Sequence, residues 1–358
     1  MYPFRRVMAT ASIAALITIT TACGAPEAPD LAADNPTYFT VATAYGVGQP
    51  GAAQLAEFVR QVQRLSPDGS IKIDTQLQAA GDATEAWNQA VLELVQAGDV
   101  DLALIPTQTW EAEGVTSFNA LSAPFLVSND DVLKQVVAPG FADPMLAGLT
   151  PAGLTGLALF PEGQRHLFSF AEPIRDPADL EGKVVRAPRS DTAEEVLESF
   201  GAVPKPLPGK QFTQALAQNA VSATETSFAR AGALTKPTTV TGNLPLYPRI
   251  NTLVINQDRL NGLPDKERRT LEQAADATRA WATASMPATA AEAVGYCRAG
   301  GTIFTAPEEG IEAFKAAAAP TITRLEKDPA TKALMAKIRS LAASTPAPAP
   351  LAPCRPTG

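Results

Sequence analysis

Tyr38-Phe39-Thr40-Val41-Ala42-Thr43-Ala44-Tyr45 opens the region that decides the fold. Its β-branched and aromatic residues predict a strand. Residues 52–65 follow, with Leu55, Phe58, Val59, Val62 and Leu65 at helical spacing. Residues 70–76 alternate Ile71 and Ile73 with polar neighbours, which predicts a second strand. Asp82-Ala83-Thr84-Glu85 has the form of a capping box, and its helix runs to Ala97 before Gly98. The apolar run 100–105 is a third strand. The order β-α-β-α-β predicts a largely parallel sheet with helices on both faces.

The pattern recurs downstream. Residues 154–160, 183–186, 203–207, 221–225 and 251–255 read as strands, as does 302–304. Residues 192–200, behind Ser190 and Asp191, and 210–218 read as helices. A long helical region from Pro264 to about Tyr296 is expected to bend at Pro287. Two further helical stretches complete the body. The 358 residues suit about two domains. With 46% hydrophobic and 18% charged residues, the chain is neither disordered nor a coiled coil. Its net charge of −8 argues against a nucleic-acid partner, whose phosphates need a basic surface. One histidine, His166, excludes zinc sites built from several. No metal or cofactor site is expected, although a cation beside Glu225 stays open.

The N-terminus reads as an export signal over residues 1–23. Arg5 and Arg6 precede an apolar stretch shorter than the ~20 residues of a spanning helix. Thr20-Thr21-Ala22-Cys23-Gly24 resembles a bacterial lipobox, with Thr20 where Leu is usual. Cys23 would then carry the lipid; an ordinary secretory signal cut nearby is the alternative. The arginine pair also fits a twin-arginine signal. Residues 24–36, rich in Ala, Pro and Asp, read as a flexible tether. The expected location is the outer face of the cytoplasmic membrane or the periplasm. Cys297 and Cys354 remain. Outside the cytosol they pair, which would pin the Pro-rich tail 344–358, or they stay free thiols.

Gly46-Val47-Gly48-Gln49-Pro50-Gly51 matches GxGxxG between a strand and a helix, with Asp74 where a ribose-binding acid belongs. That allows an exported NAD(P)-dependent oxidoreductase. Pro50 removes one backbone donor from such a loop. The other reading is a glycine-rich turn lining a different cleft. Nucleophile elbows, SxxK motifs and paired glycosidase carboxylates are absent from the sequence.

A further set of residues carries a family resemblance. It comprises Gly163-Gln164-Arg165-His166-Leu167, Pro173-Ile174, Asp176 through Pro188 with Lys183-Val184-Val185-Arg186-Ala187-Pro188, Phe200-Gly201-Ala202-Val203-Pro204, Gln214-Ala215-Leu216 and Leu121-Ser122-Ala123-Pro124-Phe125-Leu126-Val127. In this order and spacing the set resembles the substrate-binding proteins of tripartite ATP-independent periplasmic (TRAP) transporters, the DctP-like family. The resemblance spans residues 38 to about 343. It implies an α/β, type II-like periplasmic-binding-protein fold of two lobes, with crossing strands and a long interlobe helix. Lobe I would comprise 37–157 and 247–288, and lobe II 158–246 and 289–343.

The resemblance also implies a non-enzymatic protein that closes on a small organic acid. The acid would be delivered to membrane permease subunits; a sensor is the other partner such a protein could feed. Arg186 matches the arginine that pairs with the ligand carboxylate in relatives, and Arg165 one that adds a second contact in some. Glu225 is kept, but Thr226 stands where the family has a ligand-facing Asn. The turn after Tyr45 matches a segment facing the cleft from the other lobe.

Independently of relatives, Arg186 sits at a strand end, where α/β sheets place ligands. Its planar fork can donate two parallel bonds to a carboxylate. An ion pair with Glu181, Asp191 or Glu194 is its structural alternative. Arg165 could instead hold Glu225 or a hinge. Glu225 itself is better suited to orienting an arginine than to touching an anion.

Overall fold

The computed structural model describes residues 35–81 and 85–355. The expected signal, Cys23, most of the tether, and Asp82 to Thr84 of the expected capping box lie outside the described residues. Ten strands are described: β1 (Thr37–Thr43), β2 (Ile71–Leu77), β3 (Leu102–Pro106), β4 (Leu154–Ser169), β5 (Val184–Ala187), β6 (Val203–Pro206), β7 (Ala223–Thr226), β8 (Thr239–Thr241), β9 (Tyr247–Asn256) and β10 (Thr302–Phe304). Their order is β2-β1-β3-β9-β4-β7-β5-β6, with β8 on β4 and β10 on β8. The β1–β2 and β1–β3 pairs are parallel, as are β5–β6 and β5–β7. These are the pairs that the alternating strands and helices predict. Only the strands that cross between the halves, β4 and β9, run antiparallel to their neighbours.

The architecture is a mixed α/β fold of two lobes. In the first, one face of the sheet is covered by Trp110, Phe118, Val132 and Val136 and the other by Leu55, Phe58 and Leu271. In the second, Leu167, Val196, Phe200 and Phe314 form one core, and Phe168, Phe228 and Tyr296 another. The lobes share β4. Its first twelve residues pair with β9 and its last four with β7.

At 16 residues, β4 is far longer than the expected strand over 154–160. Pro161 and Gly163 read as breakers, but they form a bulge, with Gly163 at φ 131°. A bulge absorbs a residue that cannot join the ladder and re-aims the strand beyond it. β4 therefore bends at the interlobe boundary and continues through Arg165.

The expected long helix is interrupted at Pro287. Asp265–Ser285 ends at Met286, and Thr289–Arg298 begins beyond it. Asp130 accepts from both the backbone N (2.7 Å) and the hydroxyl (2.8 Å) of Thr289, capping the second helix. The helix Pro329–Ser344 packs Met335 and Ile338 into the core of the first lobe, beside Phe118 and Val132.

Beyond that helix the tail crosses between lobes. Asn129 donates to the Pro346 carbonyl at 2.8 Å. Leu351 packs with the second lobe's Phe168–Tyr296 cluster. Cys354 exchanges two backbone hydrogen bonds with Ile303, at 3.1 and 3.2 Å, and is joined to Cys297 by a disulfide with Cα atoms 6.1 Å apart. The bond closes a loop across a sequence separation of 57. In the chain-entropy model such a loop is worth about 4 kcal/mol. Cys354→Ser is expected to lower unfolding stability by up to that amount and to speed amide exchange over residues 346–355. Unchanged exchange in the tail would contradict this strap.

Candidate functional site

A cleft opens where the two lobes face each other, with about 110 Å³ of space for water-sized molecules. The first lobe contributes Tyr45, Gln49, Gln78, Trp87, Asn88 and Arg249, and the second Arg165, Arg186, Pro208 and Arg230. Four guanidinium groups thus share one small volume.

Arg186 is the penultimate residue of β5, where its backbone carbonyl accepts from the Thr224 hydroxyl at 3.3 Å. Its Nε donates to the Leu207 carbonyl at 3.1 Å. The guanidinium lies near two aromatic rings, 5.5 Å from the centroid of Trp87 and 5.1 Å from that of Phe212. Trp87 starts a helix of the first lobe and Phe212 sits in a helix of the second, so the lobes meet across this side chain. Both rings lie within cation–π range, and the terminal guanidinium nitrogens donate to no described protein atom, which leaves them free for a carboxylate. Neither Glu181, Asp191 nor Glu194 pairs with Arg186, and no described carboxylate does. Burial, then repulsion by Arg230 and Arg165, pushes its pKa down to about 9, leaving it charged at neutral pH.

Arg165 is fully buried in a bidentate pair with Glu225 on the neighbouring β7. Its Nη2 lies 2.6 Å from Glu225 Oε2 and also donates to the Glu225 backbone carbonyl at 2.8 Å. Its Nη1 is buried without a protein partner. The ion pair with Glu225 raises its pKa despite the opposing effect of burial, which is the largest single influence. Glu225 stands behind Arg165 and does not line the cleft. Thr226 does not line it either. It pairs with His166 across β4–β7, on the other face of the sheet from Arg165 and Glu225.

His166 packs its ring 5.2 Å from Phe228, and its Nδ1 has no partner. Burial pushes its pKa down to about 4. It lies away from the cleft and beside no candidate nucleophile.

Tyr45 organises the first-lobe wall. Its hydroxyl lies 2.8 Å from Glu162 Oε2 and 2.7 Å from Asn251 Oδ1, and it accepts from Arg249 Nε at 3.1 Å. Burial and the nearby Glu162 carboxylate, partly offset by Arg249 and Arg230, raise its pKa to about 12. Glu162 is fully buried, yet Arg249 and Arg230 together overcome the desolvation that opposes its charge, and its pKa is lowered. Arg230 and Arg249 lie 5.7 and 5.8 Å from the Tyr45 ring centroid.

The glycine-rich loop is explained by the same wall. A Cβ on Gly51 would lie 2.3 Å from the Tyr45 ring, and one on Gly46 would lie 3.1 Å from the Gln78 amide nitrogen. These glycines admit side chains that line the cleft. Asp74 is exposed on the edge strand β2, away from the loop.

Sequence reasoning brings Arg186, Arg165 and Tyr45 into the cleft but misses Arg230, Arg249, Trp87 and Glu162. Arg230 follows the Glu225-Thr226 segment by one helical turn, which was the available signal. Arg249 carries no motif; only the β4–β9 register brings it beside Glu162.

With this geometry in hand, relatives can be compared. A model of bacterial extracellular solute-binding proteins of family 7 matches residues 50–328. The chain belongs to this family. It is 24% identical over 229 residues to the C4-dicarboxylate-binding periplasmic protein DctP of Rhodobacter capsulatus, covering 63% of this chain and 65% of that protein. The chain thus spans just under two thirds of that relative's length. Two solved structures share the fold. One is a TRAP periplasmic solute-binding protein from Ralstonia eutropha with bound (S)-2-acetolactate, at TM-score 0.75 and 20% identity, covering 86% of this chain and 99% of that one. The other, from Desulfovibrio desulfuricans with bound sn-glycerol-3-phosphate, has TM-score 0.74 and 23% identity, covering 87% and 99%. This family 7 chain has no described helix long and apolar enough to cross a membrane.

Two outcomes follow from the site's electrostatics. Glu225→Gln, which strands the Arg165 charge, is expected to cost about 3 kcal/mol of stability, against less than about 1 for Arg186→Ala in the unliganded protein. Urea titration of both variants checks the contrast, and equal losses would contradict it. For His166, the folded pKa lies below the unfolded value of about 6.5. Its contribution is therefore complete above pH 6.5 and is lost as pH falls toward 4, up to about 3 kcal/mol. His166→Gln should flatten the fall in stability between pH 7 and 4.5; an unaltered slope would contradict the assignment.

Proposed function

We propose that this chain is an exported solute-binding protein that captures a small, carboxylate-bearing ligand. It hands the ligand to the permease subunits of a TRAP-type secondary transporter and performs no chemistry on it. In this reading Cys23 carries a lipid that keeps the protein at the outer face of the membrane. Residues 37–157 and 247–288 act as one lobe and 158–246 as the other, joined by 289–325, while helix Pro329–Ser344 rides on the first.

The observation that carries the proposal is Arg186: an arginine in the interlobe cleft, beside two aromatic rings, with no described carboxylate to neutralise it. Desolvating a charge without a counterion is costly, and an incoming anion relieves that cost. The unpartnered Arg165 Nη1 offers a second donor beside it. Trp87 and Phe212 hold Arg186 from opposite lobes, so a ligand bound there favours the closed arrangement. The ligands of three matching relatives, a C4-dicarboxylate, acetolactate and glycerol phosphate, are anions.

Thermal-shift screening of an organic-acid library tests this reading. Some acid is expected to raise Tm by several degrees at saturating concentration. Arg186→Ala should abolish that rise while leaving the unliganded melt within about 1 kcal/mol of the parent. A shift that survives Arg186→Ala would remove the arginine from the site.

A further inference from the structure

Between the last helix and Cys354 the chain buries little, because residues 346–350 are all exposed. Yet the segment is fixed at both ends. At its start, helix Pro329–Ser344 is packed into the first lobe through Met335 and Ile338, and Asn129 Nδ2 donates to the Pro346 carbonyl at 2.8 Å. At its end, Leu351 sits against the second lobe's Phe168–Tyr296 cluster. There Cys354 exchanges backbone hydrogen bonds with Ile303 and is bonded to Cys297. Pro346, Pro348, Pro350 and Pro353 stand between the two anchors. Proline fixes φ, and Pro-rich segments behave as semi-rigid spacers, not as slack linkers. An exposed, stiff segment held at both ends contributes little packing, but it can carry load between the bodies it joins.

The first anchor adjoins another crossing. Asn129 is followed by Asp130, which holds the backbone N and hydroxyl of Thr289, the first residue of the helix that carries Cys297. Two limbs therefore leave one corner of the first lobe, the helix from Thr289 and the tail from Pro346. They meet again at the Cys297–Cys354 bond. A single limb could swivel about its first residue, whereas two limbs joined at both ends form a closed frame that resists twisting. We infer that residues 346–354 are a strut that restrains the swing of the second lobe against the first, and that the disulfide is the joint through which the strut bears load. Helix Thr289–Arg298 packs Ala293 and Tyr296 into the second lobe, so a pull on Cys297 is passed to that lobe. With the bond closed, the lobes sample a narrow range of angles before any ligand arrives. Without it, the Ile303 hydrogen bonds and the Leu351 contact alone hold the end of the tail, and the range widens. A slack tether of equal length would keep the ends within reach yet leave the angle free, which gives the prolines their purpose. The inference concerns the joint and not the ligand, and it stands whichever molecule the cleft accepts.

The test is the distance distribution between spin labels at Glu93 and Glu198, exposed helix positions on the first and second lobes, measured by pulsed EPR on the unliganded protein. The labels are attached through a genetically encoded keto amino acid, so Cys297 and Cys354 stay paired. Three forms are compared: the parent, Cys297→Ser/Cys354→Ser, and Pro348→Gly/Pro350→Gly. Removing the disulfide is expected to widen the distribution about twofold or more. The glycine variant keeps the disulfide and substitutes only exposed residues, so it melts within a few degrees of the parent and guards against misfolding of the other. It should widen the distribution by an intermediate amount, because the strut stays attached but loses its stiffness. A distribution as narrow as the parent's in either variant would overturn the proposal.

Discussion

A half-buried cation without a described counterion, Arg186, is the constraint on which this molecule turns. Each cation that the protein itself neutralises is built into the scaffold. Arg165 lies against Glu225 across the β4–β7 pair, and Arg230 and Arg249 each approach the Glu162 carboxylate to 3.9 Å. Glu162, Tyr45 and Asn251 form one hydrogen-bonded group on the opposing wall. Such networks rigidify when their members find partners. Arg186 alone of the four cleft arginines has no described carboxylate partner, and the paired groups fix the walls around it.

The fold supplies those positions through two long strands. β4 and β9 pair with each other in the first lobe, and β4 runs on to carry Arg165 and Leu167 into the second. The bulge at Pro161 and Gly163 lies immediately before Arg165. A small change of bend there would move Arg165 and Glu225 relative to Tyr45. Other contacts span the lobes at the rear. Glu111 accepts from the Thr192 backbone N at 2.9 Å and hydroxyl at 2.7 Å, and Arg324 donates to the same hydroxyl at 2.8 Å. Thr192 opens the helix that follows the Arg186–Pro188 turn, so this contact steadies the loop beside the site. The tail from Asn129 to Cys354 adds a further crossing.

The alternation of strands and helices was readable because each segment obeyed one period and ended in recognisable turn chemistry. Gly98, in the left-handed conformation, closes its helix as expected, and Ser190 caps the next through Ala193 N at 3.3 Å. The position of Arg186 in the cleft was readable because it matches an arginine of the family's motif at a strand end. The length of β4 was not, because Pro161 and Gly163 are strand breakers in isolation and only the register with β9 accommodates them. Arg230 and Arg249 were hidden for a similar reason: each looks like an ordinary surface arginine until long-range pairing brings it to Tyr45. The glycine-rich loop misleads in the other direction. Its glycines mimic a phosphate-binding turn, yet Gly51 is required by the bulk of the Tyr45 ring.

The balance of charges makes the chemistry of the cleft specific while leaving the scaffold indifferent to the ligand's body. Beside the guanidinium groups the cleft is lined by the polar side chains of Gln49, Gln78 and Asn88. The most direct measurement is a crystal structure of the protein grown with its stabilising anion. The account predicts the anion enclosed between the lobes, with carboxylate or phosphate oxygens within hydrogen-bonding distance of both Arg186 terminal nitrogens and Trp87 still beside that guanidinium. An anion bound elsewhere, or one seated in the cleft with Arg186 turned out to solvent, would contradict it.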